Sequence, residues 1–197
     1  TEIYTLSLHD ALPICHINRT SAVVNIFAHK LLEHPELGLD DAFLKNVTKA
    51  APMHDLGKVA VDDVILRKPG RFTDEEYAKM KEHSAEGARV LSKVLAEVDD
   101  EAFVRIAINI AHFHHERYDG KGYPDGLRGE EIPVEARIMA LADVFDALVS
   151  KRCYKEAFNY DKAFLIIEEG LGTQFDPVLG KLFIDCRSEL EKYYDIS

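Results

Sequence analysis

Residues 101–124 read EAFVRIAINIAHFHHERYDGKGYP. Phe103, Val104, Ile106, Ile108, Ile110 and Phe113 recur at helical spacing, which predicts a strongly apolar helix over residues 101–115. That helix ends on His114-His115-Glu116. Two adjacent imidazoles at such a place are costly to bury unless they are neutral and hydrogen-bonded, or bound to a metal. His112 lies two residues earlier and points elsewhere on the helix, so it reads as a structural or half-exposed histidine. Between Asp119 and Pro133, four glycines (Gly120, Gly122, Gly126, Gly129) and Pro124 make an irregular loop.

Helical patterns continue on both sides of this stretch. Val23, Val24, Ile26, Phe27, Leu31 and Leu32 mark a helix from His16 to Glu33, ended by Pro35 and Gly38. Asp40 caps a second helix predicted to run to about Met53. A loop with Lys68-Pro69-Gly70 follows, and Thr73-Asp74-Glu75-Glu76 is a capping box that opens a third helix. Pro133 to Lys151 and Asp161 to Glu169 read as helices, the latter stopped by Gly170 and Gly172. Asp176-Pro177 is an N-cap followed by Pro at the first helical position, opening the last helix. No alternating strand pattern of useful length and no internal repeat interrupts the series. The expectation is one all-α domain.

Composition narrows the function. The chain has 197 residues, 47% hydrophobic and 30% charged, the balance of a globular domain with its own core. Its net charge of −11 argues against binding nucleic-acid polymers or anionic membrane surfaces. No apolar run approaches the ~20 residues of a membrane span. Cys15, Cys153 and Cys186 have neither metal-type spacing nor the pattern of a disulfide framework, which fits a reducing cytoplasm.

Several polar residues stand in apolar surroundings. In Met53-His54-Asp55-Leu56-Gly57-Lys58, an imidazole and a carboxylate are adjacent at a predicted helix end, with Gly57 allowing the helix to stop. A surface His-Asp pair would look the same. Asp143 sits in an apolar turn, Met139-Ala140-Leu141-Ala142-Asp143-Val144-Phe145, and a buried carboxylate must be paired, hydrogen-bonded or metal-bound. Asp146, one turn on, reads as a partner that holds a ligand histidine. His83 on the third helix would by itself be an ordinary surface histidine. Together His54, Asp55, His83, His114, His115 and Asp143 supply imidazoles and carboxylates with no thiolate, a set that suits iron or manganese. Six ligands exceed the needs of one catalytic zinc and suggest at least two metals, the arrangement that clamps attacking and leaving oxygens in phosphoester hydrolysis, with a bridging hydroxide as nucleophile. Metals would also let an acidic chain bind an anionic substrate.

His54-Asp55 with Gly57-Lys58, and the string His114 to Pro124 containing Gly122-Tyr123-Pro124, resemble the HD-GYP family of the HD superfamily. The resemblance extends over residues 16–197, through Lys68-Pro69-Gly70, the segment from Ala142 to Leu148, and Phe175-Asp176-Pro177. It implies an HD-domain-like helical bundle with a metal site in its core. It also implies a bacterial, cytoplasmic phosphodiesterase that hydrolyses cyclic di-GMP to pGpG, GMP or both, some members acting on 3′,3′-cyclic GMP-AMP. His54, Asp55, His83, His114, His115 and Asp143 match the family's metal ligands, for two or three divalent ions. His16, three residues before Arg19, matches another. Lys58 matches a lysine at the scissile phosphate and joins Asp55 as a catalytic candidate. Tyr123, Arg152 and Lys155 match substrate-binding positions; on their own residues, Tyr123 could instead pin its loop, and the two cations could be helix-end charges. The protein partners implied are a second copy of the chain or an upstream sensory domain. Degenerate members that only sense the dinucleotide or dock partners lack ligands that this sequence keeps.

Two departures stand out. The usual Arg-Pro-Tyr is Arg152-Cys153-Tyr154, and the Glu that three-metal members carry four residues before the first histidine is Leu12. Residues 1–14, TEIYTLSLHDALPI, resemble the translation of a DNA-sequencing adapter whose next base fits the codon of Cys15. The expectation is a non-native segment over residues 1–15 and a phosphohydrolase domain over 16–197 whose first helix is truncated.

Overall fold

The computed structural model describes residues 14–150 and 157–196, and every statement below concerns those residues. They form helices α1 (Ile14–Leu32), α2 (Asp41–Ala50), α3 (Asp63–Leu66), α4 (Asp74–Val94), α5 (Glu101–Phe113), α6 (Val134–Val149), α7 (Tyr160–Glu169), α8 (Pro177–Asp185) and α9 (Arg187–Ile196). Strands are absent among the described residues; two isolated bridges, Asp119 with Arg128 and Leu171 with Phe175, tie loops. The all-α expectation holds. Residues 1–13, Leu12 among them, and Arg152, Cys153 and Lys155 lie outside the described residues.

The expected caps start the helices. Asp40 accepts from the Phe43 amide at 2.7 Å, Thr73 and Glu76 form a reciprocal capping box, and Asp176 accepts from Val178 and Leu179 with Pro177 first in the helix. Each such cap contributes about 1 kcal/mol. Three stretches differ from the sequence pattern. The second helix stops at Ala50 and continues as a 3-10 turn over Ala51–Met53, because Pro52 has no N–H for the α-helical ladder. The segment predicted as loop after Met53 contains a 3-10 turn, Leu56–Ala60, and the short α3 capped by Asp62. The last helix is two, parted at Cys186, whose amide bonds back to Phe183 in a tighter turn.

Helix α6 is the axis of the molecule. Every residue from Leu141 to Val149 is buried, so this helix is wrapped on all sides. Phe145 meets Phe164 at 5.0 Å and Phe183 at 5.5 Å, and Phe183 meets Phe27 of α1 at 5.1 Å. Removing any one of these rings should cost about 3–5 kcal/mol. Helix α1 packs on α2 and α6, while α4 packs on α5 and the Leu56–Ala60 turn. Asp143 and Asp146 are the two carboxylates between Leu141 and Val149, and both meet His16 of α1.

Candidate metal centre

The 3-10 turn at Ala51–Met53 swings His54 and Asp55 off the end of α2 and into the core. Gly57 does not end a helix through a left-handed conformation, as its position suggested; its φ is not positive. It lies inside the Leu56–Ala60 turn, pressed on α4, where a Cβ would sit 1.8 Å from the His83 carbonyl oxygen. Glycine is required there because two backbones meet. His83 comes from the buried face of α4, His114 caps α5, and His115 follows it. His16 enters from α1 and Asp143 from α6.

All seven sequence-nominated metal residues converge. Their donor atoms form two groups, Asp55 with His83, His114 and His115, and His16 with His54 and Asp143; within each group the atoms lie within 4.8 Å of one another. Every member is buried. Asp55 stands between the groups. Its Oδ1 lies 3.4 Å from His83 Nε2 and 3.8 Å from His114 Nε2, while its Oδ2 lies 3.3 Å from His54 Nε2 and 3.9 Å from His16 Nε2.

The far side of each ring sets its tautomer. His54 Nδ1 donates to the Ala51 carbonyl at 2.7 Å, His83 Nδ1 to Met80 at 2.7 Å, and His114 Nδ1 to Ile110 at 2.9 Å. A carbonyl can only accept, so Nδ1 carries the proton and Nε2 presents a lone pair inward. His16 Nδ1 is held in the same way by Asp146 Oδ2 at 2.7 Å. His16 Nε2 and His54 Nε2 face each other at 3.3 Å, a separation that calls for a shared proton or a shared metal ion between them. Nε2 of His83 and of His114 are buried with no hydrogen-bond partner. Acceptors crowded together in this way need a shared cation, and the donor set of imidazoles and carboxylates fits divalent first-row metals.

The charge balance agrees. Burial pushes His83 down to about 3, and burial with the neighbouring imidazoles holds His115 well below its ordinary value, so both are neutral donors. His54 differs: burial opposes its charged form, but the Asp55 and Asp143 carboxylates outweigh burial and raise its pKa, so a metal ion bound there would displace the proton that these carboxylates otherwise hold on the ring. Asp55 stays ionised despite burial, because Lys58 and His54 draw its pKa far down. Lys58, buried, donates to Asp55 Oδ2 at 2.7 Å.

The loop after His115 roofs the site. Gly122 lies so close to the backbone of Glu116 and Arg117 that a Cβ would approach to 2.3 Å. Glu116 Oε1 accepts from the Asp125 and Gly126 amides at 2.8 and 2.9 Å. This clamp places the half-buried Tyr123 ring 4.8 Å from His115, with Lys81 above it at 5.8 Å. His112 stays outside, half-buried against Asp125 at 3.2 Å, as its position implied. Sequence reasoning assigned no role to Glu116, Arg19 or Tyr194. An acidic residue beside two buried histidines was a usable signal for Glu116; Tyr194 had none.

A family model for the HD domain matches residues 6–179. The chain belongs to the HD domain family. This HD-domain chain is 47% identical over 171 residues to a cyclic di-GMP phosphodiesterase of Vibrio cholerae serotype O1, covering 86% of the chain and 35% of that protein. It is 44% identical over 174 residues to the cyclic di-GMP phosphodiesterase response regulator RpfG of Xanthomonas campestris pv. campestris, covering 88% and 45%. A 3′3′-cGAMP-specific phosphodiesterase of Vibrio cholerae is 36% identical over 90% of the chain and 34% of its own length. The chain thus spans a third to just under half of these relatives. Its fold is similar to that of an HDG"Y"P protein from Bdellovibrio bacteriovorus, with a TM-score of 0.63 at 21% identity over 90% of this chain and 51% of that one. No helix among the described residues is long and apolar enough to cross a membrane.

Proposed function

We propose that this chain is a divalent-metal-dependent phosphodiesterase that hydrolyses cyclic di-GMP to pGpG, GMP or both. The observation that carries the reading is the pair of buried donor groups joined by Asp55, with imidazole Nε2 atoms converging inward. His16, His54 and Asp143 would hold one metal ion and His83, His114 and His115 another, with Asp55 serving both. Bound there, iron or manganese supplies Lewis acidity toward the phosphoryl oxygens and activates water. Lys58, already fixed at the Asp55 carboxylate, puts a cation where negative charge develops on phosphorus oxygens. Tyr123, whose ring lies 4.8 Å from that of His115, would offer that ring to the substrate, while Arg152 and Lys155 would hold its phosphates, Arg by its fork and Lys as a point charge. The packed helices exclude bulk water from the donor cluster, which strengthens these interactions.

The names of several relatives support the substrate assignment, and the cGAMP-specific relative supports 3′,3′-cyclic GMP-AMP as a second candidate. Cytoplasmic residence and control by a sensory domain or a second copy of the chain complete the proposal. Anaerobic reconstitution with Fe²⁺ or Mn²⁺, followed by chromatography of products from both dinucleotides, tests it. Release of pGpG or GMP is the expected result. Tight binding of the dinucleotide without turnover would overturn the enzyme reading in favour of a sensing module.

A further inference from the structure

Asp146 is fully buried in α6, and its two oxygens serve four side chains. Oδ2 holds His16 Nδ1 at 2.7 Å and accepts from Arg19 Nη2 at 3.1 Å. Oδ1 accepts from Arg19 Nε at 2.6 Å, Ser150 Oγ at 3.0 Å and Tyr194 Oη at 2.6 Å. His16 and Arg19 share α1, and Ser150 adjoins the end of α6. Tyr194 comes from elsewhere. It lies on α9, 48 residues after Asp146 and beyond residue 179, where the match to the HD domain ends. Its ring stands edge-on to Phe145 at 5.7 Å, which aims the hydroxyl at the carboxylate.

We propose that Tyr194 is a positioning residue for the His16 side of the metal centre, acting through Asp146. The inference rests on the two-metal reading above. A carboxylate can rotate about its terminal torsion, and that rotation would carry Oδ2 away from the imidazole. Four donors arranged around both oxygens stop it. Arg19 and Ser150 keep Asp146 paired when the phenol is removed, so loss of the hydroxyl loosens the orientation of His16 without stranding a buried charge. His83 and His114 are set by backbone carbonyls of their own helices and do not depend on α9. The C-terminal helix therefore reports on one half of the centre only, and displacing it would lower occupancy there first.

The test is Mn²⁺ titration of the metal-free full chain, by calorimetry and by Mn²⁺ electron paramagnetic resonance. Wild type, Tyr194→Phe and the control Tyr160→Phe are compared. The control removes an exposed hydrogen bond from α7 to Asp195 of the same helix α9. His16→Ala identifies the binding step that belongs to its side. In Tyr194→Phe that step should weaken about fivefold, less than the ~10–100-fold expected for a direct partner of a ligand. The other step, the control's two steps and the far-ultraviolet circular dichroism should match wild type. A Tyr194→Phe titration that superimposes on wild type, or one in which both steps weaken equally, overturns the proposal while leaving the two-metal reading intact. A wild-type chain that takes up no Mn²⁺ overturns the reading itself, and the proposal with it.

Discussion

His83 and His114 take their orientation from carbonyls three and four residues back on their own helices, whereas His16 takes its orientation from a carboxylate 130 residues away. The rings of His83 and His114 are thus aimed by local helix geometry, as is His54 by Ala51, and packing of α4 on α5 brings the first two together. The His16 ring is aimed only once α1 has packed on α6. The difference teaches where each half is vulnerable: the local half to changes in the helices that carry it, the non-local half to changes in distant partners. Asp55, with one oxygen toward each group, is the residue where the two dependences meet.

The harshest way to break this contrast is Asp55→Ala, which removes the shared carboxylate and should damage both halves at once. Loss of both ions would withdraw Lewis-acid stabilisation worth about 4 kcal/mol or more, a fall of about a thousandfold in turnover. Steady-state hydrolysis of cyclic di-GMP with metal analysis of the same sample checks it. Asp146→Asn should separate the halves. The Mn²⁺ step removed by His16→Ala should weaken about 10–100-fold while the other step holds, as read by calorimetry. Gly57→Ala attacks the local half, because the new methyl would drive the Leu56–Ala60 turn off the His83 carbonyl. It should cost about 1–3 kcal/mol in urea unfolding and perturb the His83 side before the His16 side. Arg137→Ala sharpens the comparison from outside. Arg137 donates to Asp176 at 2.6 Å and to the Ile132 carbonyl, neither of which belongs to a donor group. Its loss should lower stability by about 1.5–3 kcal/mol and leave both Mn²⁺ steps unchanged.

The same division decides what could be read from the sequence. The helices were legible because apolar spacing and caps are local, and Thr73 with Glu76, or Asp176 with Pro177, carry their meaning within four residues. His114 and His115 were legible because an apolar helix ended on them. His83 and His16 were not, since neither has an unusual neighbourhood; the family resemblance supplied both. Gly57 was read as a helix stop because a backbone-to-backbone contact with α4 leaves no mark in the adjacent residues. The break at Cys186 has no sequence signal for a related reason. Nothing in the run from Phe183 to Leu190 opposes a continuous helix, and the turn serves to bury Cys186 and Leu190 against the core. Tyr194 joins the Asp146 cluster through this second helix, which is why its place became visible only in three dimensions.

The most direct test of the central claim is anomalous diffraction from crystals of the full chain grown with Mn²⁺. Two peaks are expected, one bounded by His83, His114 and His115 and one by His16, His54 and Asp143, with a different oxygen of Asp55 directed at each. A single peak, or density that leaves Asp55 bonded only to Lys58, would contradict a two-metal centre built around that carboxylate.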